Sequence, residues 1–318
     1  MRRISVAILP LFFFWLSSAV PEVPRLEPYQ RVSGISGNLS SIGSDSLANL
    51  MTLWSEAFQE IYPSVNVQVQ AAGSSTAPLA LVQGTADFGP MSRLMKGREI
   101  DAFEARYGYA PTVFRVAADA LTVYVHRDNP IESLSLPQVD AIFSRTRRCG
   151  ALGDVREWRD VGLGGRLERT PLQLYGRNAA SGTYGYFKQH VLCSGDFKDT
   201  VNEQPGSASV VQAVSSSPSG IGYSGIGYRT SGVRAVPLAV EEGLAPVMPS
   251  AATASNRSYP LSRYLYVYVN KPPQGRMRPL NTEFLRFVLS ETGQGVAEKD
   301  GFVPLTTTVA LREQRKIE

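Results

Sequence analysis

Apolar residues recur at helical spacing at Leu47, Leu50, Met51, Trp54, Phe58 and Ile61, and the pattern ends at Tyr62-Pro63. This predicts an amphipathic helix that stops before proline. Val65, Val67 and Val69 then alternate with Asn66, Gln68 and Gln70, the period of a half-buried strand. A short helix with Pro78 in its first turn follows, then a short strand and turn over 85–93. The pattern next predicts a helix over 98–107, strands near 112–117 and 120–126, and a helix from Ser135 to about Phe143. Residues 144–169 read as a Gly- and charge-rich loop, 171–175 as a strand, Tyr184 to Leu192 as a helix, and 207–216 as another. Gly220–Tyr228 reads as tight strand and turn, and Tyr264, Tyr266 and Tyr268 alternate with Leu265, Val267 and Val269 in a strand over 263–269. A helix over 281–290 is expected to complete the chain, and the Pro-rich stretch 20–36 reads as an extended arm before the first strand. Strands alternating with helices point to an α/β architecture.

Three of these helix starts are loaded with glycine and hydroxyls: Gly43-Ser44-Asp45-Ser46, Ala72-Gly73-Ser74-Ser75-Thr76, and Ser181-Gly182-Thr183 with Arg177 four residues before it. A helix start leaves backbone N–H groups without partners and concentrates partial positive charge, so it receives anions. Glycine permits close approach of a ligand to the backbone, and a planar guanidinium suits a tetrahedral oxyanion. One such turn is most simply a helix cap. Three of them, with the second directly following a strand, suggest one anion site beyond the carboxyl ends of the strands. Residues 220–225 spell G-x-G-x-x-G, but they do not open an amphipathic helix within a strand–helix–strand unit, so a dinucleotide site is not expected.

Charge and cysteines narrow the setting. Arg2 and Arg3, an apolar run from Ile4 to Leu16 and then Ser17-Ser18-Ala19 have the order of a secretory signal peptide, with cleavage expected after residue 19. The run is short for a membrane span, and no cysteine near the cleavage point suggests a lipid anchor. Taking Arg2 and Arg3 from 32 Lys+Arg leaves 30 against 28 Asp+Glu, a net of +2. The basic cluster Arg145-Thr146-Arg147-Arg148 reads as a solvated loop, so no nucleic-acid partner is expected. Cys149 and Cys193, in an exported chain, are expected to pair in one disulfide, two free thiols being the alternative. With His126 and His190 scattered, no metal site or cofactor is expected.

The ordered set Gly43-Ser44-Asp45-Ser46, Ala72-Gly73-Ser74-Ser75-Thr76, Ala86-Asp87-Phe88-Gly89-Pro90-Met91-Ser92-Arg93, Tyr175-Gly176-Arg177 with Ser181-Gly182-Thr183, and Gly220-Ile221-Gly222-Tyr223 resembles a known family. It is similar to the PstS-type phosphate-binding proteins, the periplasmic receptors of bacterial high-affinity phosphate ABC transporters, and most of all to their pseudomonad members. The resemblance covers about 36–318. It implies a type II periplasmic-binding-protein fold, two lobes joined by a hinge, closing over one dehydrated phosphate. One lobe would combine 36–118 with 262–318 and the other would hold 119–261. It also implies a monomer that hands phosphate to the transporter's membrane permease, with no catalysis.

Carried over motif by motif, Asp45 and Ser46 would offer backbone N–H groups, and Ser74, with Ser75 beside it, hydroxyl and N–H. Arg177 would supply the one positive charge, and Ser181, Gly182 and Thr183 a nest of donors. Ser92 departs from the pattern, because many members carry an aspartate there that accepts a proton from phosphate and so rejects sulfate. Asp45 is the candidate replacement acceptor; equally it is an N-cap turned from the ligand. Whether Arg93 reaches the ligand or pairs with a carboxylate stays open. The alternatives are a receptor for sulfate, molybdate or arsenate, a secreted phosphatase, and a surface adhesion or scaffold protein.

Overall fold

The computed structural model describes residues 25–151 and 153–318; the signal peptide expected over 1–19 lies outside them. In chain order, strand β1 (Gly37–Ile42) leads into helix α1 (Ala48–Ile61), and β2 (Val65–Gln70) into α2 (Ala77–Gln83). Then come β3 (Phe88–Met91), α3 (Gly97–Tyr107), β4 (Thr112–His126), β5 (Leu134–Ser135) and α4 (Leu136–Phe143). The second half holds β6 (Gln173–Arg177), α5 (Gly182–His190), β7 (Asn202–Gln204), α6 (Ser207–Ser215), β8 (Gly220–Gly225), β9 (Val233–Ala235) and β10 (Leu238–Ala239). The chain closes with α7 (Ala251–Ser255), β11 (Ser262–Val269), α8 (Pro279–Val288), α9 (Glu291–Lys299) and α10 (Thr307–Gln314).

One mixed sheet runs β2-β1-β3-β11-β4-β8-β6-β7, with β9 also on β4. Its backbone is β4. The strand pairs antiparallel with β11 from Thr112 to Ala120, then with β8 from Leu121 to Val125. The two short strands expected over 112–117 and 120–126 are therefore one. No turn residue separates them, and the polar Asp119 between the two expected strands lies opposite Arg263 in the β4–β11 register.

Two apolar cores flank this strand. The first gathers Trp54 and Phe58 of α1, Phe88, Phe114, Leu265 and Phe284. The second gathers Leu121, Val123, Phe143, Trp158, Phe187 and Tyr223, with the Phe187 and Tyr223 rings stacked 3.9 Å apart. Burying an aromatic of this size contributes about 3–5 kcal/mol against alanine. Trp158 belongs to a 3-10 turn (Trp158–Val161), so the segment expected as open loop carries part of the second core. The Cys149–Cys193 disulfide is formed and spans 44 residues of chain, tying that segment to the end of α5. Chain-entropy reasoning assigns such a loop up to about 4 kcal/mol.

The described part of the arm, from residue 25, is not free. The Tyr29 hydroxyl donates to Glu283 Oε2 at 2.7 Å and lies 2.8 Å from the Tyr62 hydroxyl, and its ring packs edge-on to Phe287. Nor does the helix over 281–290 end the chain, since α9 and α10 follow it. Gly293 and Gly295 dilute the helical signal of α9. Tertiary contacts replace it: Trp54 Nε1 donates to the Gly293 carbonyl at 2.7 Å, and Gln294 Nε2 to the Val116 carbonyl at 3.0 Å.

Candidate functional site

The three hydroxyl-rich helix starts meet between the two cores. Ser44 caps a 3-10 turn (Asp45–Leu47), its hydroxyl accepting from Ser46 N, and turn and α1 run on without a break. Ser74 opens the turn before α2. Ser181 caps α5, accepting from the N–H groups of Thr183 and Tyr184. From these starts and the end of β3, hydroxyls converge. Ser46 Oγ is 2.8 Å from Thr183 Oγ1; Ser92 Oγ lies 3.4 Å from Thr183 Oγ1, 3.3 Å from Ser74 Oγ and 3.2 Å from Ser44 Oγ. All five side chains are buried.

Glycine is required at two points of this contact. A Cβ on Gly182 would fall 2.3 Å from Ser74 Oγ and 2.6 Å from Ser92 Oγ. Gly73 has φ +101° and would place a Cβ 2.7 Å from the Ala180 carbonyl, a left-handed conformation that other residues adopt only under strain.

Two buried ion pairs bracket the hydroxyls. Arg177 Nη1 meets Asp45 Oδ2 at 2.6 Å, and Arg263 Nη2 meets Asp119 Oδ2 at 2.8 Å. A buried charge costs several kcal/mol unless paired and hydrogen-bonded, and both guanidiniums are. Arg177 donates to the carbonyls of Gln204 and Pro205 and to Ser207 Oγ, at 3.0–3.2 Å. Arg263 donates to the Ser92 carbonyl at 3.2 Å and to Thr183 Oγ1 at 3.0 Å. Two guanidiniums, Arg177 and Arg263, therefore border the hydroxyls. Ser207, at the start of α6, donates through N and Oγ to Asp45 Oδ2, both at 3.2 Å. Asp45 Oδ1 is buried and has no hydrogen-bond partner among the described residues. Below Arg177, the Tyr223 hydroxyl accepts from its N–H at 3.2 Å, and burial pushes that phenol well above its ordinary range.

Of the residues expected at the site, Asp45, Ser46, Ser74, Ser92, Arg177, Gly182 and Thr183 come together here. The Ser181 hydroxyl is occupied by its own helix cap. Ser75 faces outward, its hydroxyl accepting from Arg93 Nη2 at 3.3 Å while its N–H donates to the Ala180 carbonyl at 3.1 Å. Arg93 does not enter the cluster: Glu99 takes it in a two-pronged pair at 2.7 Å. Burial alone would raise the Glu99 carboxyl, but the Arg93 guanidinium and the Lys96 N–H more than offset this and hold it below its ordinary value.

Sequence reasoning missed Arg263, Asp119 and Ser207. The signal for the first two was present. Arg263 is in phase with the buried Leu265, Val267 and Val269 of β11, and Asp119 interrupts an apolar run in β4. A charge on a buried face needs a partner.

Buried hydroxyls, helix N-termini, two guanidiniums and one unpartnered carboxylate oxygen form a donor-rich set with a single spare acceptor, suited to a tetrahedral oxyanion that still carries a proton. Among the described residues no group of three or more His, Cys, Asp or Glu could hold a metal ion. No described helix is long and apolar enough to cross a membrane.

Comparison with known proteins agrees with this chemistry. A PBP superfamily domain matches residues 30–292. The chain is 60% identical over 302 residues to the phosphate-binding protein PstS of Pseudomonas aeruginosa, covering 95% of this chain and 94% of that protein. It is 26% identical over 286 residues to PstS of Staphylococcus saprophyticus, covering 89% and 85%. The crystal structure of an ABC-type phosphate transport receptor from Vibrio cholerae superposes with a TM-score of 0.64 at 22% identity, covering 83% of this chain and 99% of that one, which shows a shared fold. Matched by that domain over most of its length, and by so similar a relative almost end to end, the chain belongs to the PBP superfamily and, within it, to the PstS phosphate-binding proteins.

Proposed function

We propose that the chain is an exported receptor that binds inorganic phosphate and hands it to the permease of a phosphate ABC transporter, without chemical change to the ligand. In this reading residues 36–118 with 262–318 form one lobe and 119–261 the other. Asp45, Ser46, Ser74, Ser92, Arg177, Ser181, Gly182 and Thr183 surround the anion, Ser181 through its backbone. Ser75 is not among the ligands. A charge-assisted hydrogen bond contributes about 1.5–3 kcal/mol, and binding at about 1 μM requires about 8 kcal/mol. The donors named exceed that before the costs of desolvation and closure.

The observation that carries the phosphate reading is the buried, unpartnered Asp45 Oδ1 beside Arg177. A protonated oxyanion can donate to it; sulfate can only repel it. Asp45 thereby takes over the acceptor role that the resemblance assigns to the position of Ser92. The test is calorimetric titration of the phosphate-stripped mature protein with phosphate and then sulfate, at about pH 5 and about pH 8. Tight phosphate binding with sulfate silent at both is expected, and sulfate binding of comparable strength would overturn it in favour of a general oxyanion receptor. Asp45→Asn is expected to narrow the phosphate-over-sulfate preference at least about tenfold, the loss of one charge-assisted hydrogen bond; an unchanged preference would reduce Asp45 to a helix cap and partner of Arg177.

A further inference from the structure

The proposal below rests on the phosphate reading and asks what the second arginine does. Arg263 and Asp119 face each other across β11 and β4, at the point where β4 leaves its pairing with β11 and takes up β8. Both are buried. Asp119 is held from both sides of that point. Its Oδ1 accepts from Ile226 N at 3.0 Å, just after β8, and its Oδ2 takes Arg263 Nε at 2.9 Å. So anchored, Arg263 reaches into the cluster in two directions, to the Ser92 carbonyl after β3 and to Thr183 Oγ1 at the start of α5. Its guanidinium also lies 5.2 Å from the centre of the Tyr186 ring, one turn further along α5.

A hydroxyl has one proton. When Thr183 Oγ1 accepts from Arg263, its own O–H is turned away from the guanidinium and into the cluster, where Ser46 Oγ lies at 2.8 Å. Arg263 thus makes Thr183 a donor toward whatever the cluster encloses. The contact also crosses between the cores, from the strand pair that joins them to the helix of the second. We propose that Arg263 is a second arginine of the oxyanion site, a positioning residue that aims the Thr183 hydroxyl at the anion and balances its charge from the strand crossing. The site then holds two guanidiniums against two carboxylates, and removing either member of the β4–β11 pair changes its net charge by one in a known direction.

That sign gives the test. The titratable and charged groups around Arg263 are Asp119 from β4, Tyr186 from α5 and Tyr266 from its own strand, with Arg257 beyond α7 beside the same two tyrosines and Asp45 and Arg177 across the hydroxyls. Burial raises both tyrosines, so they stay neutral through the range used. Between about pH 5.5 and about pH 8 phosphate itself passes from mostly monoanion to mostly dianion.

The experiment measures phosphate Kd at both pH values for the wild type, Arg263→Met, Arg263→Lys and Asp119→Asn. Arg263→Met is expected to weaken binding about 10- to 100-fold, with several-fold more loss at the higher pH, as one charge less costs the dianion more. Arg263→Lys is expected to restore the pH ratio while recovering only part of the affinity, because an ammonium keeps the charge and loses the fork. Asp119→Asn keeps the acceptor for Ile226 N and is expected to shift the pH ratio the opposite way. Uniform weakening with an unchanged pH ratio in both neutralising variants would make the pair purely structural and overturn the proposal, as would Arg263→Met binding within twofold of wild type at both pH values. If Arg263→Met does not fold, the direction of the Asp119→Asn shift decides alone. A wild type that binds no phosphate would instead remove the phosphate reading itself.

Discussion

At the scale of single residues, the contact between the helix starts depends on an atom that is absent. Gly182 needs no left-handed backbone; it needs the space of a methyl group, since its Cβ would meet Ser74 Oγ and Ser92 Oγ well inside contact distance. Gly182→Ala places that methyl at the first position of α5, where alanine favours a helix by up to about 1 kcal/mol. That gain is set against a methyl forced among buried hydroxyls, so the protein should melt at or below the wild-type temperature and phosphate affinity should fall about 30-fold or more, an about 2 kcal/mol penalty of overpacking. Calorimetry and a thermal melt on the same sample check both halves. An affinity loss below about threefold would mean the helix starts do not need to approach this closely.

The element scale shows how a charge near a site can serve the scaffold instead. Arg93 follows β3 directly into the cluster region, yet Glu99 in the first turn of α3 captures it and also accepts from Lys96 N at 2.8 Å. The pair ties the segment after β3 to the first turn of α3. Because the folded-state carboxyl of Glu99 lies below its unfolded value, its contribution is present above the unfolded pKa and is lost as pH falls through the folded one. Urea unfolding should find Glu99→Gln less stable than wild type by about 1–2 kcal/mol at neutral pH, with the gap shrinking below about pH 4. A gap that stays constant with pH would assign the loss to packing rather than charge.

Taken whole, the molecule holds its two cores together across the hydroxyls. Tyr228, on the turn after β8, donates to the carbonyls of Asp45 and Ser46, both at 3.1 Å, and so ties that turn to the start of α1. Beside it a cleft of about 1240 Å3 opens, walled by Asp45, Ser207 and Tyr228 among others. Tyr228 is thus a latch at the mouth of the site. Tyr228→Phe keeps the ring, which packs against Phe302, and removes both hydrogen bonds, at about 1 kcal/mol each. Phosphate should leave about 5- to 30-fold faster, and small-angle scattering of the ligand-free variant should show a larger radius than wild type. Unchanged dissociation would place the control of closure elsewhere.

Local pattern determined much of this protein. Helical spacing located α1, alternation located β2 and most of β11, and hydroxyl-and-glycine helix starts marked Asp45, Ser46, Ser74, Arg177, Gly182 and Thr183, because caps and turns are built from residues adjacent in the chain. The expected export favoured pairing Cys149 with Cys193 over two free thiols, and the structure forms that disulfide. What the tertiary structure alone decided has non-local causes. Whether Arg93 meets the ligand or a carboxylate was open in the sequence, and Glu99 takes its guanidinium, while Ser75 faces outward toward Arg93. Strand β4 stayed whole because Asp119 found its partner 144 residues away. Helix α9, diluted by its glycines, was held by Trp54 and by its own Gln294. Arg263 joined the site because antiparallel pairing set it opposite Asp119. A buried charge announces in the sequence that it needs a partner; only the register of two distant strands says which one, and which hydroxyl it then reaches.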